Sequence, residues 1–258
     1  MELIRSIHNL QPRHHKCVLT IGNFDDFHRV HKALIAELQA EGCRRGLPVI
    51  AIIFEPQPQE YFAGDAAPAR LTRLRDKVKY LTASGVEAAL CITFGKCFAA
   101  LSARAFVTKL LVKKLGVRFI GVGDDFRFGA RRQGDSAFLQ QAGKEGGFEV
   151  MSSSTCAEGG QRVSSTAVRE TLDRDRLAEA EMLLRRSYRL SGRMVRGSAL
   201  GRPRVSTANV SLQRRRTTIN SVYAVEVHSL PSGLFLTSRT LASATVGGLA
   251  KSAFVGCG

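Results

Sequence analysis

Over the first 150 residues, short apolar runs alternate with stretches whose apolar side chains recur at helical spacing. Cys17–Ile21 is a short apolar run that predicts a strand, and the stretch Val30–Glu41 carries Val30, Ala33, Leu34 and Leu38 at a helical period. Val49–Phe54 is continuously apolar between Pro48 and Pro56, the pattern of a buried strand. A helix is expected over Leu74–Ser84, ending at Gly85, where a left-handed cap suits glycine. Ala88–Thr93 reads as the next strand. Ser102 suits the N-cap of a helix that runs to Leu115 and stops at Gly116. Phe119–Val122 is a fourth strand, Asp135–Glu145 a helix and Phe148–Met151 a short fifth strand. Strands alternating with helices of this length imply parallel pairing with helices on both faces. The fold class is α/β, a doubly wound parallel sheet, and such sheets take ligands at the carboxyl ends of their strands.

After Met151 the pattern changes. Ser152–Gly160 reads as a polar loop, Ser164 and Ser165 open a helix, and Leu177–Leu184 forms another. Beyond Tyr188 the helical period disappears. Tyr188–Val195 and the alternating run Ser221–Val227 predict strands of a β-rich second module, while residues 241–258 resemble no complete element.

Composition narrows the class of protein. Of 258 residues, 44% are hydrophobic and 23% charged, which excludes wholesale disorder. No apolar run approaches the ~18 residues of a membrane span. Polar residues from Glu2 to Arg13 break any signal-peptide core, so a cytoplasmic protein is expected. The six cysteines show no CxxC spacing and read as reduced, mostly packed thiols. The net charge of +16 is uneven: residues 187–258 hold ten basic side chains and a single acid, Glu226. This places a domain boundary near Ser187, giving domains of 1–186 and 187–258. It also raises a nucleic-acid reading, but that segment lacks the interleaved aromatics of a nucleic-acid binder, so no specific nucleic-acid partner is expected.

Four segments can carry chemistry. The first, residues 20–31 (TIGNFDDFHRVH), joins a strand to a helix start, where backbone N–H groups and the helix dipole favour an anion. His28 and His31 share one side of that turn and can hydrogen-bond phosphate oxygens or stabilise a departing pyrophosphate; the plainer alternative is two solvent-facing histidines. No third metal ligand lies nearby, so no metal site is assigned. In the second, residues 163–172, the hydroxyls of Ser164, Ser165 and Thr166 precede Arg169, as a phosphate clamp or as helix capping beside an exposed Arg. The third, residues 122–135, offers Asp124 and Asp125 for ribose or ligand donors, Phe126 and Phe128 for stacking, and Arg127 for phosphate, or is an arginine-rich surface loop. In the fourth, residues 52–60, Pro56 and Pro58 stiffen the exit from a strand. All four follow carboxyl ends of strands, which suggests one nucleotide-handling cleft.

Together these segments resemble the bacterial bifunctional riboflavin kinase/FAD synthetase family over nearly the whole chain. Gly22, Phe24, Asp25, His28 and His31 match its G-x-F-D-G-x-H-x-G-H stretch, Phe54–Pro58 its proline-bearing segment, and Asp125–Gly129 its D-F-R-F-G loop. Ser164, Ser165, Thr166 and Arg169 match its I-S-S-T-x-x-R clamp. The resemblance implies a nucleotidyltransferase domain that binds ATP with Mg²⁺, takes FMN as substrate and releases FAD and pyrophosphate. His28, His31 and Arg169 would then be catalytic, with Gly22, Phe24, Asp25, Ser164, Ser165 and Thr166 around ATP and its phosphates. Pro56, Pro58, Asp124, Asp125, Phe126 and Arg127 would hold the flavin or ribose.

The departures concern activity. Asp26 and Val30 stand where the family has glycine, bringing charge and bulk to a phosphate-facing helix start. The C-terminal part resembles the family's riboflavin kinase β-barrel: Gly192, Val195, Gly197, Gly201 and Arg202 follow its opening pattern, and Thr207–Asn209 match the end of G-F-P-T-A-N. After Leu230 the motif pattern is lost, so the barrel is expected to be incomplete and its kinase activity lost. The residues leave two main readings, an FAD synthetase with a defective kinase module and a non-catalytic remnant that binds nucleotide or flavin.

Overall fold

The structure is a computed structural model. It describes residues 1–153, 157–158, 161–162, 164–195, 207–212, 216–227, 240–246 and 253–256. Contacts divide the chain into two compact units: Met1–Ala67 with Thr72–Ser165 and Leu183–Arg185, and Pro68–Leu71 with Thr166–Met182 and Arg186–Gly258.

The first unit is built on six parallel strands, β1 (Glu2–Arg5), β2 (Val18–Ile21), β3 (Val49–Glu55), β4 (Ala88–Thr93), β5 (Phe119–Gly123) and β6 (Glu149–Ser153), in the order β1-β4-β3-β2-β5-β6. From β2 the chain steps outward through β3 to β4, then returns to lay β5 against the other side of β2. Successive connections therefore leave β2 and β5 in opposite directions, which opens a crevice at their carboxyl ends.

Both faces of the sheet are buried, and side chains alternate between two cores, as a pleated strand requires. Leu19, Ile21, Ile50 and Ile52 point to one face, where they meet Phe106, Leu110, Leu111 and Leu139. Val18, Val49, Ala51 and Ile53 point to the other, against Leu34, Ile35, Leu38 and Leu81. Full burial of each large aliphatic contributes roughly 1.5–3 kcal/mol. The second face is covered by α1 (Arg29–Arg45), closed by Gly46 in the left-handed conformation, and by α3 (Leu74–Ala83). Between them lies α2 (Pro58–Ala63), with Pro58 in its first turn. On the first face, the short α4 (Lys96–Ala99) and α5 (Ala103–Ala105) lead directly into a π-helical run, Phe106–Lys114. Then comes α6 (Ser136–Gly146), whose N-cap Asp135 accepts from the Phe138 N–H at 2.8 Å.

Three features depart from the pattern-based expectation. The edge strand β1 is a sixth strand; its four mixed residues carry little signal and are held by pairing with β4, from Glu2 opposite Ala88 to Arg5 opposite Cys91. Glu2 also binds Arg13 at 3.0 Å and His14 at 3.1 Å. The helix expected to start at Ser102 is present and capped by that hydroxyl, but most of it takes the wider π register. Third, residues 241–258 contain two strands.

In the second unit, β9 (Arg193–Val195), β10 (Thr207–Ser211), β11 (Val222–Val227), β12 (Thr240–Val246) and β13 (Ala253–Gly256) form an antiparallel sheet in the order β11-β12-β13-β10-β9, while the short antiparallel pair β7 (Ala157–Glu158) with β8 (Gln161–Arg162) belongs to the first unit. The segments of β12 and β13 are rich in small residues with no clear alternation, and pairing with β11 and β10 makes them strands. Helices α7 (Ser165–Asp173) and α8 (Leu177–Leu184) bury Val168, Leu172, Ala180 and Leu184. Among the described residues no helix is long and apolar enough to cross a membrane.

Candidate nucleotide-handling site

The loop between β2 and α1 sits at the crevice beside β5. Gly22 opens it, and a Cβ there would stand 3.2 Å from the Phe24 ring. Phe24 and Phe27 both take positive φ, 46° and 49°, a conformation that bulky residues rarely adopt. Each such turn costs on the order of 1–3 kcal/mol and persists because the surroundings enforce it. Here both rings are driven into the α1-side core. With the rings turned inward, the polar residues between and after them are left facing one another.

Asp25 is buried, and its Oδ1 accepts from Gln57 Nε2 at 2.7 Å and from the Thr72 N–H at 3.3 Å, with Lys77 Nζ at 3.7 Å. Gln57 is the N-cap residue of α2, so this carboxylate ties the first loop to the proline-bearing segment and to α3. Asp26 is wholly buried. Its Oδ1 lies 3.5 Å from His31 Nδ1 and 3.8 Å from His28 Nε2. The two imidazoles stack at 4.0 Å, and the donor atoms of all three residues lie within 4.8 Å of one another. Burial pushes the Asp26 carboxyl up, but hydrogen bonds from His31 and Ser165 and the nearby His28 outweigh it and hold it at about 2. Burial pushes the His28 imidazole down, His31 adds to this, and Asp26 and Asp125 pull it back only partly, leaving it at about 4. At neutral pH the site therefore pairs an ionised Asp26 with a neutral His28.

These contacts join the four segments read from sequence. Ser165, from the clamp, reaches Asp26; Asp125, from the loop after β5, acts on His28; Gln57, between Pro56 and Pro58, holds Asp25. Asp124, Asp125 and Arg127 are exposed, and Arg127 Nη1 donates to the Phe126 carbonyl at 3.1 Å. Phe126 is half-buried and stacks on Phe128 at 5.4 Å, so part of its ring is committed to the core. Gly129 is required where it stands: its φ is +73°, and a Cβ would meet the Ala103 nitrogen at 2.6 Å. Ser164 is half-buried. Thr166 and Arg169 belong to the second unit, where Arg169 Nε donates to the Ala69 carbonyl at 2.8 Å. Thr207 and Asn209 lie on β10, their side chains outside the described residues, as are Val163, residues 203–206 and His228.

Two elements of the site escape a reading of motifs. One is Asp26 as a third donor beside the two histidines, where the motif supplied only a pair. The other is an aromatic group just beyond β3 and β4: Tyr61, Phe62 and Phe94 pack edge to face, with ring centres 5.1–5.7 Å apart, and Phe62 is 70% exposed. Adjacent aromatics on α2 and a phenylalanine directly after β4 would have been the signal.

A parallel doubly wound sheet with imidazoles, hydroxyls and a helix start gathered at its switch point defines an α/β domain of the nucleotidyltransferase type, here followed by a β-rich module. FAD synthetase is the family description that matches residues 10–167, and riboflavin kinase the one that matches residues 184–251, so the second match runs past Leu230, where the motif pattern fades. The chain is 56% identical to the bifunctional riboflavin kinase/FMN adenylyltransferase of Escherichia coli K12, over 89% of this chain and 74% of that one. It is 46% identical to the protein of the same name from Pseudomonas fluorescens, over 88% and 73%. Among solved structures, one titled macrolide-efflux protein from Streptococcus pneumoniae superposes with a TM-score of 0.81 at 23% identity, covering all of this chain and 84% of that one, a likeness of fold alone. The chain belongs to the bifunctional riboflavin kinase/FAD synthetase family.

Proposed function

We propose that the chain is an FMN adenylyltransferase: it transfers AMP from MgATP to FMN, giving FAD and pyrophosphate. The observation that carries this reading is the proximity of the family's motifs within the first unit: Asp25 accepts from Gln57, Ser165 favours the Asp26 carboxylate and Asp125 acts electrostatically on His28. An oxygen of the FMN phosphate attacks the α-phosphorus of ATP in line, and the bond to pyrophosphate breaks. Such transfers need positioning and charge stabilisation more than covalent help. His28 and His31 contact the ATP phosphates, and the hydroxyls of Ser164 and Ser165 close over them. Asp124 and Arg127 hold polar parts of the ligands, while the exposed rings of Tyr61 and Phe62 offer a surface for a flat flavin. Mg²⁺ prefers oxygen ligands, so the two-imidazole set of this loop does not suit it, and it enters on the ATP phosphates as part of the substrate.

In this reading Asp26 acts as an internal anion. Its carboxylate takes the partners, His31, His28 and Ser165, that a phosphate would otherwise take, and so it slows the transfer. FAD formation from FMN and MgATP by the purified chain tests the reading. Slow but ATP-dependent FAD release is expected, and none above a no-enzyme control would overturn it in favour of a binding-only protein. The adenylyltransferase domain is taken as residues 1–186 by motif and charge, whereas contacts group Thr166–Met182 with the C-terminal module. Limited proteolysis is expected to leave a stable fragment ending near residue 186, and one ending near residue 165 would favour the contact boundary. The kinase-like module 187–258 makes no FMN, because its single carboxylate, Glu226, precedes the place of the family's base and a positioned base contributes ~10²–10⁴-fold. FMN formation from riboflavin that disappears in Glu226→Gln would show a rebuilt kinase site instead.

A further inference from the structure

We propose that the cleft between the π-helical run and α6 is a binding site for a small organic acid, an apolar ring or short chain carrying one carboxylate. The cleft encloses about 320 Å³ on the first face of the sheet, within the first unit, and no residue of the nucleotide-handling site lines it. Its floor is apolar, made by Val107, Val112, Phe138 and Ala142. Phe138 is held edge to face on Phe128 at 5.8 Å, so this wall is preformed. The volume stands at the lower end of the ~300–1,000 Å³ of small-molecule pockets, enough for one compact ligand. Ten residues line it, fewer than the roughly 20–30 a side that a stable protein interface uses.

The π register shapes the rim. The step from Arg104 to Lys113 makes about 2.5 turns of an α-helix, which would put the two on opposite sides, but about two turns at the roughly 4.4 residues per turn of a π-helix. Both side chains therefore border the cleft. They differ in what they already hold. Arg104 Nη2 lies 3.7 Å from Glu145 Oε2, and Gln141 Nε2 donates to Glu145 Oε1 at 3.3 Å, so the acid on the rim is taken. Thr108 Oγ1 donates to the Arg104 carbonyl at 3.0 Å. Lys113 is exposed and has no ion-pair partner among the described residues, which leaves it as the cation open to a ligand. An apolar floor with one open cation at its rim suits an apolar body and a single negative charge. A nucleotide fits poorly, because its phosphates would bring several charges to a rim that already carries Glu145. The site is argued from this cleft alone and does not depend on the proposed adenylyl transfer.

Ligand-observed NMR titration of the full chain tests it, with benzoate and hexanoate as probes and benzyl alcohol as the uncharged comparison. Saturable binding of both acids is expected, with a Kd on the order of 1 mM for ligands of so few atoms, and weaker binding of the alcohol. Lys113→Gln is expected to weaken benzoate by about fivefold, the upper end for an exposed ion pair, and to leave benzyl alcohol unchanged. Glu145→Gln removes a like charge and is expected to tighten benzoate about twofold. Ala142→Leu fills the cleft and is expected to abolish binding of acids and alcohol alike, with circular dichroism as the check on folding. The exposed Lys113 and Glu145 positions carry the test should that variant misfold. Lys109→Gln, on the same helix but outside the cleft, is expected to change nothing. Absence of saturable binding, an equal loss in Lys109→Gln and Lys113→Gln, or displacement of benzoate by ATP would each overturn the assignment.

Discussion

Asp25 and Asp26 are neighbours in sequence, both removed from water, and held in different ways. Asp25 faces the buried Lys77 amine and two amide donors, Gln57 and the Thr72 backbone, which belong to segments of the scaffold. Asp26 faces two imidazoles and a hydroxyl, groups that can exchange one partner for another. A buried carboxylate is costly either way, so its role is set by what surrounds it. Where the partners are a buried amine and framework amides, the carboxylate is a clamp. Where they are soft and titratable, it occupies a site that a ligand can contest.

The comparison breaks first at Asp25. Asp25→Ala removes the carboxylate that faces the buried Lys77 side chain, so a loss of about 3–5 kcal/mol is expected in denaturant unfolding. The double variant Asp25→Ala/Lys77→Met is expected to recover a large part of it, and a strictly additive double variant would show that the pair does not act as one. On the Asp26 side the effect lies in rate: Asp26→Gly with Val30→Gly is expected to raise kcat/KM for ATP by ~10²-fold, as imidazoles and N–H groups are released to the substrate. A double variant no faster than the parent chain would refute the internal-anion reading. The smallest effect is expected at the neutral end of the clamp. Gln57→Ala removes one charge-assisted hydrogen bond and is expected to lower stability by about 1.5–3 kcal/mol, with thermal unfolding as the measure.

Much of the sheet was legible because its strands are buried on both faces and therefore read as apolar runs. β3 and β4 lie where Val49–Phe54 and Ala88–Thr93 place them, and α8 covers Leu177–Leu184. β1, β12 and β13 were not legible, since their strand character comes from hydrogen-bonded neighbours and not from their own side chains. In the site, motif order pointed to segments that the first unit brings near one another, with His28 and Ser165 both acting on Asp26. The role of Asp26 stayed hidden, because it follows from two phenylalanines held at positive φ, a backbone choice that residue preferences argue against.

The four residues of β1 have a consequence for solubility. They occupy the margin of the sheet, with the Glu2 N–H donating to the Glu87 carbonyl at 2.8 Å and the Ser6 N–H to the Cys91 carbonyl at 3.0 Å, and with charged Glu2 and Arg5 at either end. Behind them lies β4, AALCIT, six residues without a charge. A polypeptide begun at residue 10, where the FAD synthetase match starts, would present that uncharged strand as the open edge, a template on which strands of other copies can pair. Removing the first nine residues is therefore expected to raise the chain's tendency to aggregate, as light scattering would register, while its nucleotide loops remain intact.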